Sequence, residues 1–61
     1  MDIIDARRWV LKKMAPRAGM ATKTELYAIW DYDPMLLDDA LRDLRNIGIL
    51  SYNGHFWYVV S

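Results

Sequence analysis

Apolar side chains recur every three or four positions near the start of the chain, at Ile3, Ala6, Val10 and Met14. This spacing predicts an amphipathic helix that ends near Met14. Asp2 is a suitable N-cap for this helix, and Pro16 disfavours helical backbone at the residue before it. Trp9 falls at the edge of the apolar arc, so we expect its ring either to contact the rim of the core or to be exposed.

Two further helices are predicted from their start signals. Residues 22–25 read Thr-Lys-Thr-Glu, which matches a capping box, so a short helix is expected over residues 23–30. The side chains expected to face inward from it are Leu26, Ile29 and Trp30. Asp33 as N-cap and Pro34 at the first position open a third helix. The core stripe of that helix is Leu37, Ala40, Leu41 and Leu44. Gly48 then lies where a left-handed C-terminal cap belongs.

The end of the chain contains two apolar runs, residues 49–52 and 55–60, separated by Asn53-Gly54. Asn-Gly between such runs predicts a β-hairpin with a type I′ turn. The pairs expected from this turn are Tyr52 with His55 and Leu50 with Trp57. One face then carries Leu50, Tyr52, Trp57 and Val59, and the other carries Ile49, Phe56, Tyr58 and Val60. Because both faces are apolar, burying one of them leaves an aromatic patch on the other.

The composition favours one folded domain over residues 1–61, since 54% of the 61 residues are hydrophobic. There is no cysteine, which excludes disulfides and thiolate metal sites. The formal net charge is zero, but residues 1–30 carry six basic and three acidic side chains, and residues 31–61 carry two and five. A dedicated nucleic-acid-binding protein usually has a basic excess. The total charge therefore does not favour one.

No targeting segment or catalytic constellation is predicted. The first residues are acidic where a secretion signal is basic, and no run is long enough to span a membrane, so we expect a complete cytoplasmic protein. There is one histidine, no glycine-rich phosphate loop and no metal-ligand spacing. Asp38 and Asp39 are adjacent on a helix and point about 100° apart, so they do not form a carboxylate pair. We expect no enzyme activity, no cofactor, no metal and no small-molecule substrate.

The order of three helices and a hairpin resembles the winged helix-turn-helix superfamily over nearly the whole chain. The residues that carry the resemblance are Thr22 to Leu26, then Leu37, Leu41 and Leu44, and then Asn46 to Leu50 and Tyr52 to Trp57. It implies an α+β fold with a C-terminal two-stranded antiparallel hairpin, and residues 19–21 are candidates for a short third strand. Members usually place the third helix in the DNA major groove and the hairpin, or wing, on the backbone or minor groove. The resemblance thus implies a small bacterial or phage-type transcriptional regulator that binds DNA through residues 34–47 and the hairpin.

The side chains expected on the exposed side of the third helix only partly fit DNA binding. Arg42 and Asn46 are residue types that read guanine and adenine edges, whereas the neighbouring aspartates repel phosphates. The candidate DNA contacts are Thr22, Lys23 and Thr24 at the start of the second helix, and Arg42, Arg45 and Asn46 on the third. The alternative for Arg42 and Arg45 is solvated ion pairing with the aspartates at helical spacing. The hairpin tip carries no fixed positive charge.

The surplus of large apolar side chains supports a second hypothesis, a protein-interaction module, such as an inhibitor or adaptor, that does not bind DNA. The candidate contacts are Tyr32, Met35 and Leu36 near the start of the third helix, and Phe56 and Tyr58 on the outer hairpin face. For Phe56 and Tyr58 the alternative is ordinary core packing. The outer hairpin face is also a candidate homodimer contact, through edge pairing of the last strand. A positive surface on the third helix favours DNA, and a negative or apolar one favours protein.

Overall fold

The computed structural model describes residues 1–60 and has an α+β fold, with three helices and a three-stranded antiparallel sheet. The helices are α1 (Ile3–Met14), α2 (Lys23–Ile29) and α3 (Pro34–Asn46). The strands are β1 (Met20–Thr22), β2 (Leu50–Tyr52) and β3 (Phe56–Val59), and a short 3-10 turn, Ala15–Arg17, follows α1. Within the described residues, no helix has the length and apolar character needed to cross a membrane.

α1 begins and ends where the sequence predicts. The Asp2 carboxylate accepts a hydrogen bond of 2.9 Å from the backbone N–H of Asp5, which caps the first turn. Pro16 lies in the 3-10 turn after the helix. The chain then reverses through two residues with left-handed backbone, Ala18 (φ 57°) and Gly19 (φ 73°), and enters β1.

α2 is held at its start by a complete capping box. Thr22 Oγ1 accepts from the backbone N–H of Glu25 at 3.1 Å, and Glu25 Oε1 accepts from the N–H of Thr22 at 3.1 Å. Leu26 is buried as predicted, but the prediction that Ile29 faces inward is wrong, because its side chain is exposed. The helix ends at Ile29, one residue earlier than expected. Trp30 is buried as predicted, but it adopts extended backbone (ψ 123°) and lies after the end of the helix rather than in it.

α3 is capped at both ends as its sequence predicts. The Asp33 carboxylate accepts from the N–H of Met35 at 2.9 Å. At the other end Gly48 has φ +83°, and the N–H of Ile49 donates to the carbonyl of Leu44 at 2.9 Å. Together with the bond of 3.1 Å from the N–H of Gly48 to the carbonyl of Arg45, this bond forms a Schellman motif, which satisfies carbonyl groups at the end of the helix.

One core joins the helices to the sheet. Its buried members are Ala6, Val10, Met14, Ala21, Leu26, Trp30, Leu37, Ala40, Leu41, Leu44 and Leu50. All four residues of the stripe predicted for α3 belong to it. No polar or charged residue is buried in the described part of the chain. The side of α3 opposite this stripe is exposed to solvent and is available to a partner.

β2 and β3 form the predicted hairpin in a register two residues away from the predicted one. The observed pairs are Leu50 with Val59, Ser51 with Tyr58 and Tyr52 with Trp57, so the expected pairs Tyr52 with His55 and Leu50 with Trp57 are wrong. Asn53 Oδ1 accepts from the N–H groups of His55 (3.0 Å) and Phe56 (2.8 Å), which places Asn53 before the turn and Gly54 (φ +96°) at its centre. A type I′ turn at Asn53-Gly54 needs positive φ at both residues, which Asn53 does not have. A two-residue shift leaves the two faces of the hairpin unchanged.

The sheet has three strands rather than two, in the order β1-β3-β2. The extra strand is Met20–Thr22, one residue later than the candidate range 19–21. β3 lies in the middle, hydrogen-bonded to β1 on one side and to β2 on the other. Homodimer formation by edge pairing of the last strand is therefore wrong, because neither edge of β3 is free.

Candidate functional site

The turn between α2 and α3, residues 29–35, is built around the indole of Trp30, and we call it the α2–α3 corner. Trp30 Nε1 donates to the backbone carbonyl of Asp33 at 2.9 Å. The Trp9 ring lies edge-on to the Trp30 ring with centroids 4.8 Å apart, so Trp9 is a rim contact rather than free in solvent. The Tyr32 ring packs on the other side at 5.2 Å. These contacts fix the position at which the corner presents its outer side chains.

Large apolar side chains face solvent at this corner. Met35 is 70% exposed, Tyr32 is 51% exposed and Ile29 is 39% exposed. Leu36, the third protein contact predicted in this region, is only half-buried and packs against the core, so it is less available to a partner. Tyr32 and Met35 are exposed as the protein-interaction hypothesis requires, and Ile29 is an exposed neighbour that sequence reasoning assigned to the core.

The charge on and beside the corner is acidic. Residues 29–39 contain four aspartates and no lysine or arginine. Two of these carboxylates form ion pairs on the α3 surface, Asp38 with Lys23 (Nζ to Oδ1 3.8 Å) and Asp39 with Arg42. The solvated pairing expected as the alternative for Arg42 is therefore present.

The candidate DNA contacts do not form one positive surface. Thr22 is committed to the capping box, and Lys23 pairs with Asp38 and lies 5.4 Å from the centre of the Tyr27 ring. Thr24 is exposed. Of the three α3 candidates, Arg42 is paired with an aspartate, Arg45 is exposed and has no ion pair within residues 1–60, and the neutral side chain of Asn46 is exposed.

The cations of α1 form a second group of basic side chains. Arg7, Arg8, Lys12 and Lys13 have no ion pair in the described part of the chain. Lys13 Nζ lies 5.9 Å from the centre of the Trp9 ring. Most of the unpaired positive charge therefore lies on α1 rather than on α3.

A shallow open groove runs between α2 and α3, with a volume of about 640 Å³. It is lined by Lys23, Thr24, Tyr27, Ala28 and Asp38. The Tyr27 hydroxyl is buried and has no hydrogen-bond partner among residues 1–60. An unpaired buried hydroxyl has lost its hydration without compensation, which destabilises the fold.

Replacing Tyr27 by phenylalanine is expected to raise the free energy of unfolding by roughly 1 kcal/mol, because the variant removes the unpaired hydroxyl and keeps the ring. Urea unfolding followed by circular dichroism measures the change. Tyr32→Phe is the matched control. The Tyr32 side chain is half exposed, so this variant should have the same free energy of unfolding as wild type. A loss of stability in Tyr27→Phe would show that the hydroxyl has a partner in solution.

The capping box makes one stability contribution depend on pH. Hydrogen bonds from the backbone and the hydroxyl of Thr22, with help from the nearby Arg17 guanidinium, lower the pKa of Glu25. Because this folded-state pKa lies below the unfolded-state value of about 4.3, the ionised carboxylate stabilises the fold fully above that pH. This contribution is lost as the pH falls through the lowered pKa.

Glu25→Gln keeps the shape of the capping side chain and removes the charge. We expect wild type to be more stable than this variant at neutral pH by an amount that stays constant down to about pH 4.3 and then shrinks. Thermal unfolding of both proteins between pH 2 and pH 7 measures the difference. A difference that does not change across the acid range would contradict the lowered pKa.

A second apolar surface lies on the outer face of the sheet. The register aligns Met20 with Tyr58 and Thr22 with Phe56 on this face, next to Ser51. Phe56 is 37% exposed and Tyr58 is half-buried, so neither is a fully buried core residue. The predicted contacts therefore fall on two different surfaces, this face and the α2–α3 corner. Met20 was missed because a three-residue strand gives too little alternation to reveal its face.

Comparison of the chain with protein-family models, with curated proteins and with solved structures finds no match.

Proposed function

We propose that this chain is a winged helix-turn-helix domain that acts as a protein-interaction module rather than as a DNA reader. The order of its elements supports the first part, because α2 and α3 are joined by a short turn and are followed directly by a hairpin whose central strand also pairs with β1. This arrangement agrees with the superfamily that the sequence resembles. The superfamily alone does not decide the partner, since one fold hosts many functions.

One observation carries the choice of a protein partner. On the surface that a DNA-binding protein would turn toward the major groove, two of the three candidate cations, Lys23 and Arg42, are paired with Asp38 and Asp39, and only Arg45 is without an ion pair in residues 1–60; an exposed apolar corner lies beside them. Each carboxylate placed about 4 Å from a phosphate would cost up to roughly 4 kcal/mol before salt screening. Exposed methionine and tyrosine are instead enriched at protein interfaces.

Affinity capture tests the proposal. Tagged wild-type protein is incubated with nuclease-treated lysate of the organism that encodes it, alongside Met35→Asp and Ile4→Asp. Both positions are exposed, apolar and in the first turn of a helix, where a carboxylate suits the helix dipole, so neither change should disturb folding. We expect a protein that wild type and Ile4→Asp retain and Met35→Asp loses. Retention that is seen in a parallel untreated lysate but not in the nuclease-treated one would contradict a protein partner.

DNA binding is the second candidate, because Arg45 is exposed without an ion pair in residues 1–60, Asn46 is exposed, and α1 adds unpaired cations. Fluorescence anisotropy with a mixed-sequence 20-base-pair duplex at about 50 mM salt separates the two. The protein-interaction proposal expects no saturable binding. Saturable binding that weakens with added salt and with Arg45→Ala would favour DNA.

A further inference from the structure

We propose that the α2–α3 corner binds a basic amphipathic segment of its partner protein, with an apolar side chain seated on Met35 and Tyr32. This inference rests on the proposed function and adds to it the surface and the chemistry of the partner. It is carried by three features of the corner: its exposed apolar side chains, the sign of the charge around them and the rigidity of the turn.

The apolar part of the corner lies within seven residues. Met35 is the most exposed of the large hydrophobic residues that the structure describes, and Tyr32 and Ile29 precede it at intervals of three. A methionine side chain is flexible and polarisable, so it adapts to the shape of an incoming apolar group. Tyr32 adds a broad ring whose position is fixed by its contact with Trp30.

The charge beside these side chains selects the sign of the partner. Asp31 and Asp33 have no ion pair within residues 1–60, whereas Asp38 and Asp39 are already paired with cations of this chain. One carboxylate oxygen of Asp33 accepts the hydrogen bond that caps α3, and the carboxylate still has further acceptor sites. A segment with lysine or arginine beside its apolar anchor therefore meets complementary charge at the two aspartates that flank Tyr32 in the chain, which steers the approach and fixes the register.

The corner is ordered before any partner arrives. The carbonyl of Asp33 accepts from the Trp30 indole at 2.9 Å and from the N–H of Leu36 at 3.0 Å, while its carboxylate holds the N–H of Met35. Little backbone entropy is left to lose on binding, so more of the contact energy appears as affinity.

A second copy of this chain fits the corner less well than a different protein. Its α1 would supply the cations Arg7, Arg8, Lys12 and Lys13, but the core side of α1, which includes Val10 and Met14, is buried, and the exposed large apolar side chain of this helix is Ile4 in its first turn. The copy would therefore bring positive charge with a smaller apolar anchor than an amphipathic segment whose apolar side is free. A nucleic acid is repelled by the carboxylates.

Selection of a phage-displayed library of random 12-residue peptides on immobilised full-length protein tests the inference. We expect enriched peptides that combine an aromatic or long aliphatic residue with two or more lysines or arginines. Synthetic versions should bind Met35→Asp at least 10-fold more weakly, and Asp31→Asn several-fold more weakly, than wild type and the control Ile4→Asp. Tyr32→Ser provides a second variant at the surface, and circular dichroism checks that each variant is folded.

Other results would overturn the inference. Enrichment of acidic or uncharged peptides contradicts the proposed partner chemistry, and peptides that bind Met35→Asp and Tyr32→Ser as well as wild type place the interface elsewhere, for example on the outer sheet face. Self-association in sedimentation that Met35→Asp abolishes would make a second copy the occupant. If the selection yields no peptides while the lysate capture still retains a protein, this inference fails and the proposed function stands. If both experiments yield nothing, both fail.

Discussion

Replacing Leu41 by alanine is expected to lower the free energy of unfolding by about 2–5 kcal/mol. Leu41 is 1% exposed and lies in the middle of the α3 stripe, where it packs with residues of α1 and the sheet in one core. Truncation removes buried methyl and methylene groups and leaves a cavity that this small fold fills only in part. A chain of 61 residues has a total stability of roughly 3–9 kcal/mol, so a large share of the variant should be unfolded at 37 °C.

Chemical unfolding followed by circular dichroism measures this loss. Leu36→Ala is the matched control, since Leu36 is the same residue type on the same helix but is only half-buried. Its loss should be clearly smaller. Equal losses for the two variants would mean that α3 does not turn Leu41 inward and Leu36 toward the rim, and the exposed surface assigned to α3 would then be wrong.

Replacing Trp30 by alanine is expected to cost about 3–5 kcal/mol, a loss as large as that for a fully buried leucine. The indole contacts Trp9 and Tyr32 and donates to the carbonyl of Asp33. Removing it leaves a large cavity beneath the α2–α3 corner and frees the ring of Tyr32. The variant should therefore lose both stability and the fixed geometry of the corner.

Trp30→Phe separates packing from hydrogen bonding. The Asp33 carbonyl still accepts from the N–H of Leu36 at 3.0 Å, so loss of the indole donor leaves no unpaired group. We expect the phenylalanine variant to recover more than half of the stability that Trp30→Ala loses, as measured by urea unfolding. A phenylalanine variant as unstable as the alanine one would mean that the hydrogen bond, and not the packed ring, holds the corner.

The helices and their ends are predicted well because their signals are local. The caps at Asp2, Thr22 and Asp33, the left-handed Gly48 and the buried stripe of α3 each depend on residues within one or two turns. Such short-range patterns predict both where a helix starts and which of its sides is buried. The core side of α3, and hence its exposed side, could therefore be predicted from the sequence.

The prediction and the structure differ where the local conformation depends on residues far away in the sequence or on competing hydrogen bonds. The hairpin register depends on the Asn53 side chain, which takes two N–H groups of the turn and moves the expected pairing by two residues. β1 exists because β3 pairs with it, and three residues carry no periodic signal of their own. Ile29 is exposed because Trp30 leaves the helix and occupies the core.

The sequence predicts which residues belong to the candidate site, but it does not predict which of their charged side chains form ion pairs. Met35 could be assigned to the surface from the α3 stripe alone, since helical geometry places it opposite Leu37, Leu41 and Leu44. Tyr32 precedes the helix, so the stripe does not place it, and it was a candidate only as a surplus aromatic residue. The sequence left open whether Arg42 faces a phosphate or an aspartate, because both Asp38 and Asp39 are within reach on a helix. The structure pairs Arg42 with Asp39 and Lys23 with Asp38.

Site-specific photo-crosslinking in the cells that encode the chain shows whether the α2–α3 corner binds a protein. A benzophenone amino acid is placed at position 35, on the α2–α3 corner, or at position 46, on the exposed end of α3. We expect protein adducts from position 35 that resist nuclease and are absent when Asp31→Asn and Tyr32→Ser are combined with it. Nuclease-sensitive adducts from position 46, with no protein adduct from position 35, would contradict protein binding at the corner.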